Sequence, residues 1–202
     1  MINRHFLALL LTCLLSLVIN KGAEALDAEG YLEQGNAAFN AARYDEAIQL
    51  YGKALSANPN FVDAHYNRGQ AYYKRGRYSE AISDFTKVLE VDPTLTDVYF
   101  SRGLANFKKG HQEKAIEDFT KAISLNSNLA EAYLNRGIAY AYNKQYDEAI
   151  EDYNKAIIIK PNYEAAYFNR GVAYIRKASA DFAKLCTMGN QAACENLKQI
   201  SE

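Results

Sequence analysis

The sequence has little of what nucleic-acid binding, metal binding or phosphate chemistry require. It contains only three histidines in 202 residues, and its 23 positive side chains nearly balance its 24 negative ones. A nucleic-acid binder carries a basic face, and electrostatic attachment to a membrane needs a basic cluster; the sequence has neither excess. It also has no Gly-rich phosphate loop, metal-spaced cluster or nucleophile motif. We therefore predict a protein that is not an enzyme and that uses no cofactor or metal.

The first 25 residues are typical of a secretory signal peptide. Arg4 precedes an apolar-rich run over residues 6–19, and small residues beyond it predict cleavage after Ala25. One alternative is a membrane anchor, but this run is shorter than the ~20 residues that span a bilayer. Another is a lipoprotein signal at Cys13, whose flanking residues match poorly. We predict an exported protein, periplasmic or secreted, with no membrane association after cleavage.

Glycines recur through the rest of the chain at a fixed interval of 34 residues: Gly35, Gly69, Gly103, Gly137 and Gly171. Twelve residues after the first four stand Ala47, Ala81, Ala115 and Ala149, and four residues later stand Tyr51, Phe85, Phe119 and Tyr153. Prolines close three of these four units, at Pro59, Pro93 and Pro161. A period of this length indicates stacked helical hairpins. Each hairpin buries its apolar face only against its neighbours.

This pattern of small residue, aromatic residue and closing proline resembles the tetratricopeptide repeat. The resemblance implies an all-α, right-handed superhelical solenoid of antiparallel helix pairs with a C-terminal capping helix. The expected repeats are 28–61, 62–95, 96–129 and 130–163, followed by a degenerate fifth repeat at 164–186 and the capping helix at 190–200. The sequence departs from the family just before each glycine, where an aliphatic residue is usual and Arg68, Arg102, Arg136 and Arg170 stand instead.

The fifth unit is five residues short. Its second-helix aromatic, Phe182, comes five residues too early, and the missing residues are those of the interhelix turn. Small or apolar residues continue at helical spacing from Tyr167 to Leu185. This stripe predicts that both helices of the repeat are fused into one, from about Glu164 to Cys186.

Two cysteines, Cys186 and Cys194, follow the signal segment. An even number of cysteines in an exported protein favours a disulfide. The alternative is a metal pair, which lacks further ligands because His65 and His111 lie in distant repeats. The tail also resembles Sel1-like repeats, in which cysteines eight apart join two antiparallel helices, and that resemblance implies the same pairing.

Each arginine before a glycine has an aspartate partner in the second helix. The expected pairs are Arg68 with Asp84, Arg102 with Asp118, Arg136 with Asp152, and Arg170 with Asp181. The first repeat has Gln34 and Leu50 at these positions, so both charges are absent together. We predict that the pairs are structural contacts within a repeat, because a single buried charge is costly.

The resemblance implies that the first helix of each repeat lines a concave groove. Three repeated positions on these helices share one face, and asparagines stand next to the first of these positions. The predicted groove residues are Tyr66, Asn67, Gln70, Tyr73, Phe100, Leu104, Phe107, Leu134, Asn135, Ile138, Phe168, Asn169 and Val172. We expect this face to bind an apolar or amphipathic peptide segment. The alternative is that these side chains only pack on neighbouring repeats.

The asparagines of this set form a ladder that could hold a peptide backbone, because an amide both donates and accepts hydrogen bonds. The alternative is that each amide bonds to its own solenoid. The predicted function is an exported protein-interaction module or scaffold whose partner is a protein or peptide. The alternative function is a structural, self-assembling solenoid without a dedicated peptide ligand; a monomer is favoured.

Overall fold

The computed structural model describes residues 27–201, and their regular structure is entirely α-helical. The helices are α1 (Ala28–Asn40), α2 (Tyr44–Ala57), α3 (Val62–Lys74), α4 (Tyr78–Val91), α5 (Thr96–Lys108), α6 (Gln112–Leu125), α7 (Ala130–Tyr142), α8 (Tyr146–Ile159), α9 (Glu164–Thr187) and α10 (Gln191–Ser201). The predicted all-α class is confirmed. The predicted signal peptide, residues 1–25, lies outside the described residues.

The chain divides into two compact units after Arg75. In the first unit, α1 packs against α2, and α2 packs against α3. The core of this unit lies where Ala47 and Tyr51 of α2 meet Ala38 of α1 and Ala71 of α3. Small side chains let the helices approach closely around the buried ring.

The second unit contains α4 to α10, and each helix packs against the next. Its core includes Ala149 and Tyr153 of α8 with Ala166 and Ala173 of α9. None of the helices in the described part of the chain is both long and apolar enough to cross a membrane.

The ring of a second-helix aromatic residue lies directly against the repeated glycine. A Cβ atom added at Gly137 would lie 2.7 Å from Cε1 of Tyr153, and one at Gly103 would lie 2.7 Å from Cε1 of Phe119. Only a residue without Cβ permits this approach, which explains the 34-residue recurrence. Gly171 is different, because no described residue comes within 4 Å of its Cβ position.

Three of the predicted Arg–Asp pairs lie within the second unit, and two of them are formed. The Nη2 atom of Arg102 lies 2.7 Å from Oδ1 of Asp118, and both aspartates, Asp118 and Asp152, are buried. The guanidinium of Arg136 donates through Nε and Nη2 to the two oxygens of Asp152, at 2.8 Å each. These contacts join the two helices of one repeat.

The same arginines also reach back to the preceding repeat. Nη1 of Arg102 donates to Oγ1 of Thr86 at 3.2 Å, and Nη1 of Arg136 donates to Oγ1 of Thr120 at 2.9 Å. Each threonine lies on the second helix of the repeat before. One guanidinium therefore connects three helices.

The predicted pair of Arg170 with Asp181 is wrong. Both residues lie on α9, where eleven residues of helix separate them by about 16 Å along the axis. Nη1 of Arg170 instead donates to Oδ1 of Asn154 at 2.6 Å, at the position equivalent to Thr120. Fusing the two helices moved the carboxylate away from its arginine.

The missing turn accounts for the fused helix. The interhelix turns of the first four repeats each contain a residue with positive φ, at Ala42, Gly76, Gly110 and Lys144. This left-handed conformation breaks the helix and suits glycine best. The equivalent residue of the fifth repeat, Ala178, lies inside α9, which runs unbroken from Glu164 to Thr187.

A disulfide joins the end of α9 to α10. Cys186 and Cys194 are bonded, and their Cα atoms are 4.8 Å apart, within the reach expected for such a bridge. Gly189 makes the intervening turn with φ 89°. Oδ1 of Asn190 then accepts a hydrogen bond from the backbone N–H of Ala193 at 3.0 Å, which caps α10.

Candidate peptide-binding groove

The predicted groove residues of the second unit lie on α5, α7 and α9, which are the first helices of three successive repeats. Neighbouring first helices are in contact, α5 with α7 and α7 with α9. The residues that stay at least partly exposed are Phe100, Leu104, Phe107, Asn135, Ile138, Phe168, Asn169 and Val172. The most open is Phe168, whose exposed fraction is 72%. Apolar surface therefore remains accessible on this face.

Leu134 does not belong to that accessible surface. Its exposed fraction is 6%, and it belongs to the buried cluster that includes Ile150 and Tyr153 of α8. Its position on the helix face is the predicted one, but its side chain fills the contact between α7 and its neighbours. A ligand at this face would not reach it.

A cavity of about 340 Å³ lies among α7, α8 and α9. Three predicted groove residues line it, namely Ile138, Asn169 and Val172. Tyr142 and Arg176 also line it, and the sequence pattern did not select either of them. The pocket therefore combines an apolar wall with a cationic group.

Tyr142 extends the aromatic surface between two repeats. Its ring meets that of Phe107 edge to face, with centroids 5.2 Å apart, in the geometry that aromatic quadrupoles favour. Tyr142 is the last residue of α7 and is largely exposed. In the sequence, Tyr142 stands one residue after a repeated groove position, and this spacing could have identified it as a groove residue.

The asparagines of the second unit bond to their own helices. Nδ2 of Asn135 donates to the carbonyl oxygen of Glu131, and Nδ2 of Asn169 donates to that of Ala165, each at 2.7 Å. This matches the alternative considered from the sequence. Each amide still has a second N–H and an acceptor oxygen, and the internal bond holds the group in one orientation.

In the first unit, a cavity of about 530 Å³ lies among α1, α2 and α3. Tyr66, Asn67 and Gln70 line it, as predicted groove residues, together with Asn36 and Tyr51. Oδ1 of Asn36 accepts hydrogen bonds from Nδ2 of Asn67 and from the hydroxyl of Tyr51, both at 2.9 Å. Tyr73, the remaining predicted residue, is half-buried on α3.

The phenol groups at the two cavities stay protonated over a wide pH range. Burial raises the pKa of Tyr51 to about 12. Burial, with the neighbouring Asp152 carboxylate, also raises the pKa of Tyr153. These side chains can donate or accept hydrogen bonds near neutral pH, but they cannot act as bases there.

Sequence profiles of the tetratricopeptide repeat match residues 32–96, 105–144 and 130–163. The crystal structure of MamA protein is similar, with a TM-score of 0.72 and 32% identity over 86% of this chain and 89% of that chain. A MamA structure from Desulfovibrio magneticus RS-1 has a TM-score of 0.66 and 25% identity over 68% and 78%. The chain therefore belongs to the tetratricopeptide repeat family.

A more distant solved structure has the same fold. YrrB, a tetratricopeptide repeat protein with an unusual peptide-binding site, has a TM-score of 0.67 and 24% identity over 92% of this chain and 89% of its own. No curated protein matches the sequence significantly. The chain thus shares its fold with YrrB.

Proposed function

We propose that the protein is an exported scaffold that binds an amphipathic peptide segment in the groove formed by the first helices of its second unit, α5, α7 and α9. The main support is the accessible apolar face of the second unit, where Ile138 and Val172 line the 340 Å³ cavity and Phe168, on the same helix as Val172, is largely exposed. Arg176 at the same cavity favours a segment with an acidic residue beside its apolar ones. The peptide-binding site of YrrB is a precedent for this use of the fold.

A matched pair of substitutions tests the groove. Phe168 on α9 and Ile158 on α8 are both 72% exposed, but only Phe168 lies on the proposed binding face. Peptides selected by phage display on the chain from residue 26 onward provide the ligands, and fluorescence anisotropy measures their affinity. Phe168→Glu is expected to weaken binding about tenfold or more, because burying a phenylalanine contributes about 1.5–3 kcal/mol.

The control is Ile158→Glu, which introduces the same charge at the same exposure and is expected to leave affinity unchanged. Both variants are expected to melt like the wild type, because neither side chain is buried. Equal loss of binding in the two variants, or binding that survives Phe168→Glu, contradicts the proposed groove.

Export is tested separately. The signal-like segment and the Cys186–Cys194 disulfide both support it. Full-length protein expressed in a secreting host is expected to begin at Leu26 when sequenced from its N-terminus. Recovery of intact protein from the cytoplasm alone, beginning at Met1, contradicts export.

Self-association is the second candidate function, because α9 exposes Tyr167, Tyr174 and Ile175 at the end of the array. Light scattering over a hundredfold range of concentration distinguishes the two functions. A mass that stays at one chain removes self-association, and a mass that rises with concentration favours it.

A further inference from the structure

A separate cavity of about 320 Å³ lies where α4 of the second repeat meets α5 and α6 of the third. Its volume is at the lower end of the range for small-molecule sites, about 300–1,000 Å³. It contains none of the predicted groove residues. Arg102, Asn106 and Asp118 line it together with the basic residues Lys109 and Lys114 and the acidic residue Glu117.

The side chain of Asn106 contains a buried acceptor that has no hydrogen-bond partner among residues 27–201. Its side chain is 3% exposed, and its Nδ2 donates to Oδ2 of Asp118 at 2.8 Å. Its Oδ1 is also buried, and it accepts no hydrogen bond from the described residues. Reversing the amide would place two oxygens against each other, so the orientation is determined by Asp118. An acceptor in this setting is satisfied in proteins by an ordered water or by a donor from a bound molecule.

Asn106 replaces a tyrosine that other repeats have at the same position, three residues after the glycine: Tyr72, Tyr140 and Tyr174. In the fourth repeat, the guanidinium of Arg136 lies over the rings of Tyr133 and Tyr140, at 5.6 and 5.9 Å from the ring centroids. In the third repeat, Arg102 lies over Tyr99 at 5.5 Å. The smaller Asn106 leaves space for a second ring beside that guanidinium.

A second change in the same repeat alters the charge of the cavity. Eleven residues after the glycine, three repeats have a glutamate that bonds to the residue three before it: Glu46 to Arg43, Glu80 to Arg77, and Glu148 to Gln145. The third repeat has Lys114 at this position, with His111 three residues earlier. Lys109 adds another cation to the lining. Two departures from the repeat pattern therefore meet at one cavity.

We propose that this cavity binds a small aromatic carboxylate that carries a phenolic hydroxyl. The ring takes the place of the missing tyrosine beside Arg102, where a cation and a π face attract each other. The hydroxyl donates to Oδ1 of Asn106. The carboxylate lies near Lys109 and Lys114, whose charges favour an anion.

Titration calorimetry with 4-hydroxyphenylacetate tests the proposal, with phenylacetate and 4-methylphenol as comparison ligands. Phenylacetate lacks the donor for Asn106 and is expected to bind about fivefold more weakly, the effect of one net hydrogen bond. 4-Methylphenol lacks the carboxylate, so its binding is expected to be weaker and independent of salt. The affinity of 4-hydroxyphenylacetate is expected to fall as salt screens the two lysines.

Three variants locate the site. Asn106→Tyr restores the residue of the other repeats and is expected to abolish binding without lowering the melting temperature. Lys114→Glu restores the usual glutamate and is expected to weaken binding of both carboxylates but not of 4-methylphenol. Asn106→Leu keeps most of the space and is expected to remove the preference for 4-hydroxyphenylacetate over phenylacetate.

Phe168→Glu serves as the control for the other site, because it changes the groove and leaves this cavity intact. Unchanged binding of 4-hydroxyphenylacetate to this variant supports a separate site, even if the groove proposal fails. The proposal is overturned if the wild type does not bind 4-hydroxyphenylacetate at millimolar concentration, or if Asn106→Tyr binds it as tightly as the wild type.

Discussion

The guanidinium of Arg136 holds the carboxylate of Asp152 by two parallel hydrogen bonds of 2.8 Å. The arginine side chain is 16% exposed and that of the aspartate is 6% exposed. Burial raises the pKa of Asp152, and the two bonds from Arg136 oppose this effect. The pair therefore incurs a desolvation cost that only its geometry offsets.

Breaking this pair is expected to be more costly than replacing it. Asp152→Ala should lower the free energy of unfolding by about 3 kcal/mol, because it leaves Arg136 nearly buried without a counter-charge. The double variant Arg136→Met with Asp152→Leu should recover most of that loss. Urea denaturation followed by circular dichroism measures both.

The control for this prediction is Asp147→Ala. Asp147 also lies on α8, but it is 69% exposed in its ion pair with Lys177, and exposed pairs contribute about 0–1 kcal/mol. Equal losses from Asp152→Ala and Asp147→Ala contradict the importance of burial.

The repeated glycines are expected to respond in opposite directions to the same substitution. Gly137→Ala should destabilise the protein by about 1–3 kcal/mol, because the new methyl group collides with the ring of Tyr153 and with the backbone oxygen of Ala149. Gly171→Ala should stabilise it by about 0.5–1 kcal/mol, because alanine favours the helix and the space is open. Thermal melts of the two variants provide the measurement. Destabilisation by Gly171→Ala contradicts the open environment.

Stability is expected to fall in alkaline solution as the buried phenols are forced to ionise. Burial raises the pKa of Tyr51 from 10.0 to about 12 in the folded protein. Between these values the unfolded chain has lost the proton that the folded chain retains, so stability decreases as pH rises through this window and is fully present below it. Burial raises the pKa of Tyr153 in the same direction. Urea denaturation at pH 9, 10 and 11 measures the slope.

The variant Tyr51→Phe with Tyr153→Phe is expected to flatten this slope. Phenylalanine already stands at the equivalent position in Phe85 and Phe119, so the ring is compatible with the core. A decline parallel to that of the wild type would show that other groups cause the alkaline loss.

Removing the disulfide is expected to loosen the C-terminal cap and little else. Cys186→Ser with Cys194→Ser opens a loop of nine residues. Closing a loop of this length stabilises the folded protein by at most about 3 kcal/mol. Stability in a repeat array is summed between neighbours, so the loss should stay local. Hydrogen exchange should accelerate in α10 and in the last turns of α9. Faster exchange throughout α1 to α3 contradicts a local role.

The repeat pattern predicted those contacts that recur from one repeat to the next. The interval between Gly137 and Tyr153, and the joint absence of charge at Gln34 and Leu50, were sufficient to predict which helices meet. The same reasoning failed at Arg170, because a five-residue deletion places Asp181 farther along the same helix. A shared position in the repeat implies a shared contact only while the turn between the helices is present.

Position on a helix face was less informative about the groove. Phe168 and Leu134 occupy the same repeat position, yet one is exposed and the other is buried. The difference depends on whether another repeat follows, because α9 ends the array and α7 is packed on both sides. The cavity beside Asn106 was not predicted, because the departures from the repeat at Asn106 and Lys114 point to one place only when the structure shows that both residues line it.

Arg102 and Arg136 each link three helices, and these contacts are kept only when the array is divided into complete repeats. Arg102 finds its hydroxyl acceptor in the preceding repeat and its carboxylate in its own, and Arg136 does the same one unit later. Each 34-residue repeat therefore supplies an arginine for the contact with the repeat before it and a hydroxyl acceptor for the contact with the repeat after it. Removing one complete repeat, such as residues 96–129, would bring Thr86 before Arg136, and duplicating it would bring Thr120 before a second copy of Arg102, so that each arginine keeps both kinds of acceptor. A change of another length separates an arginine from one of its acceptors, as the five missing residues separate Arg170 from Asp181, so only a change by complete repeats keeps both bonds.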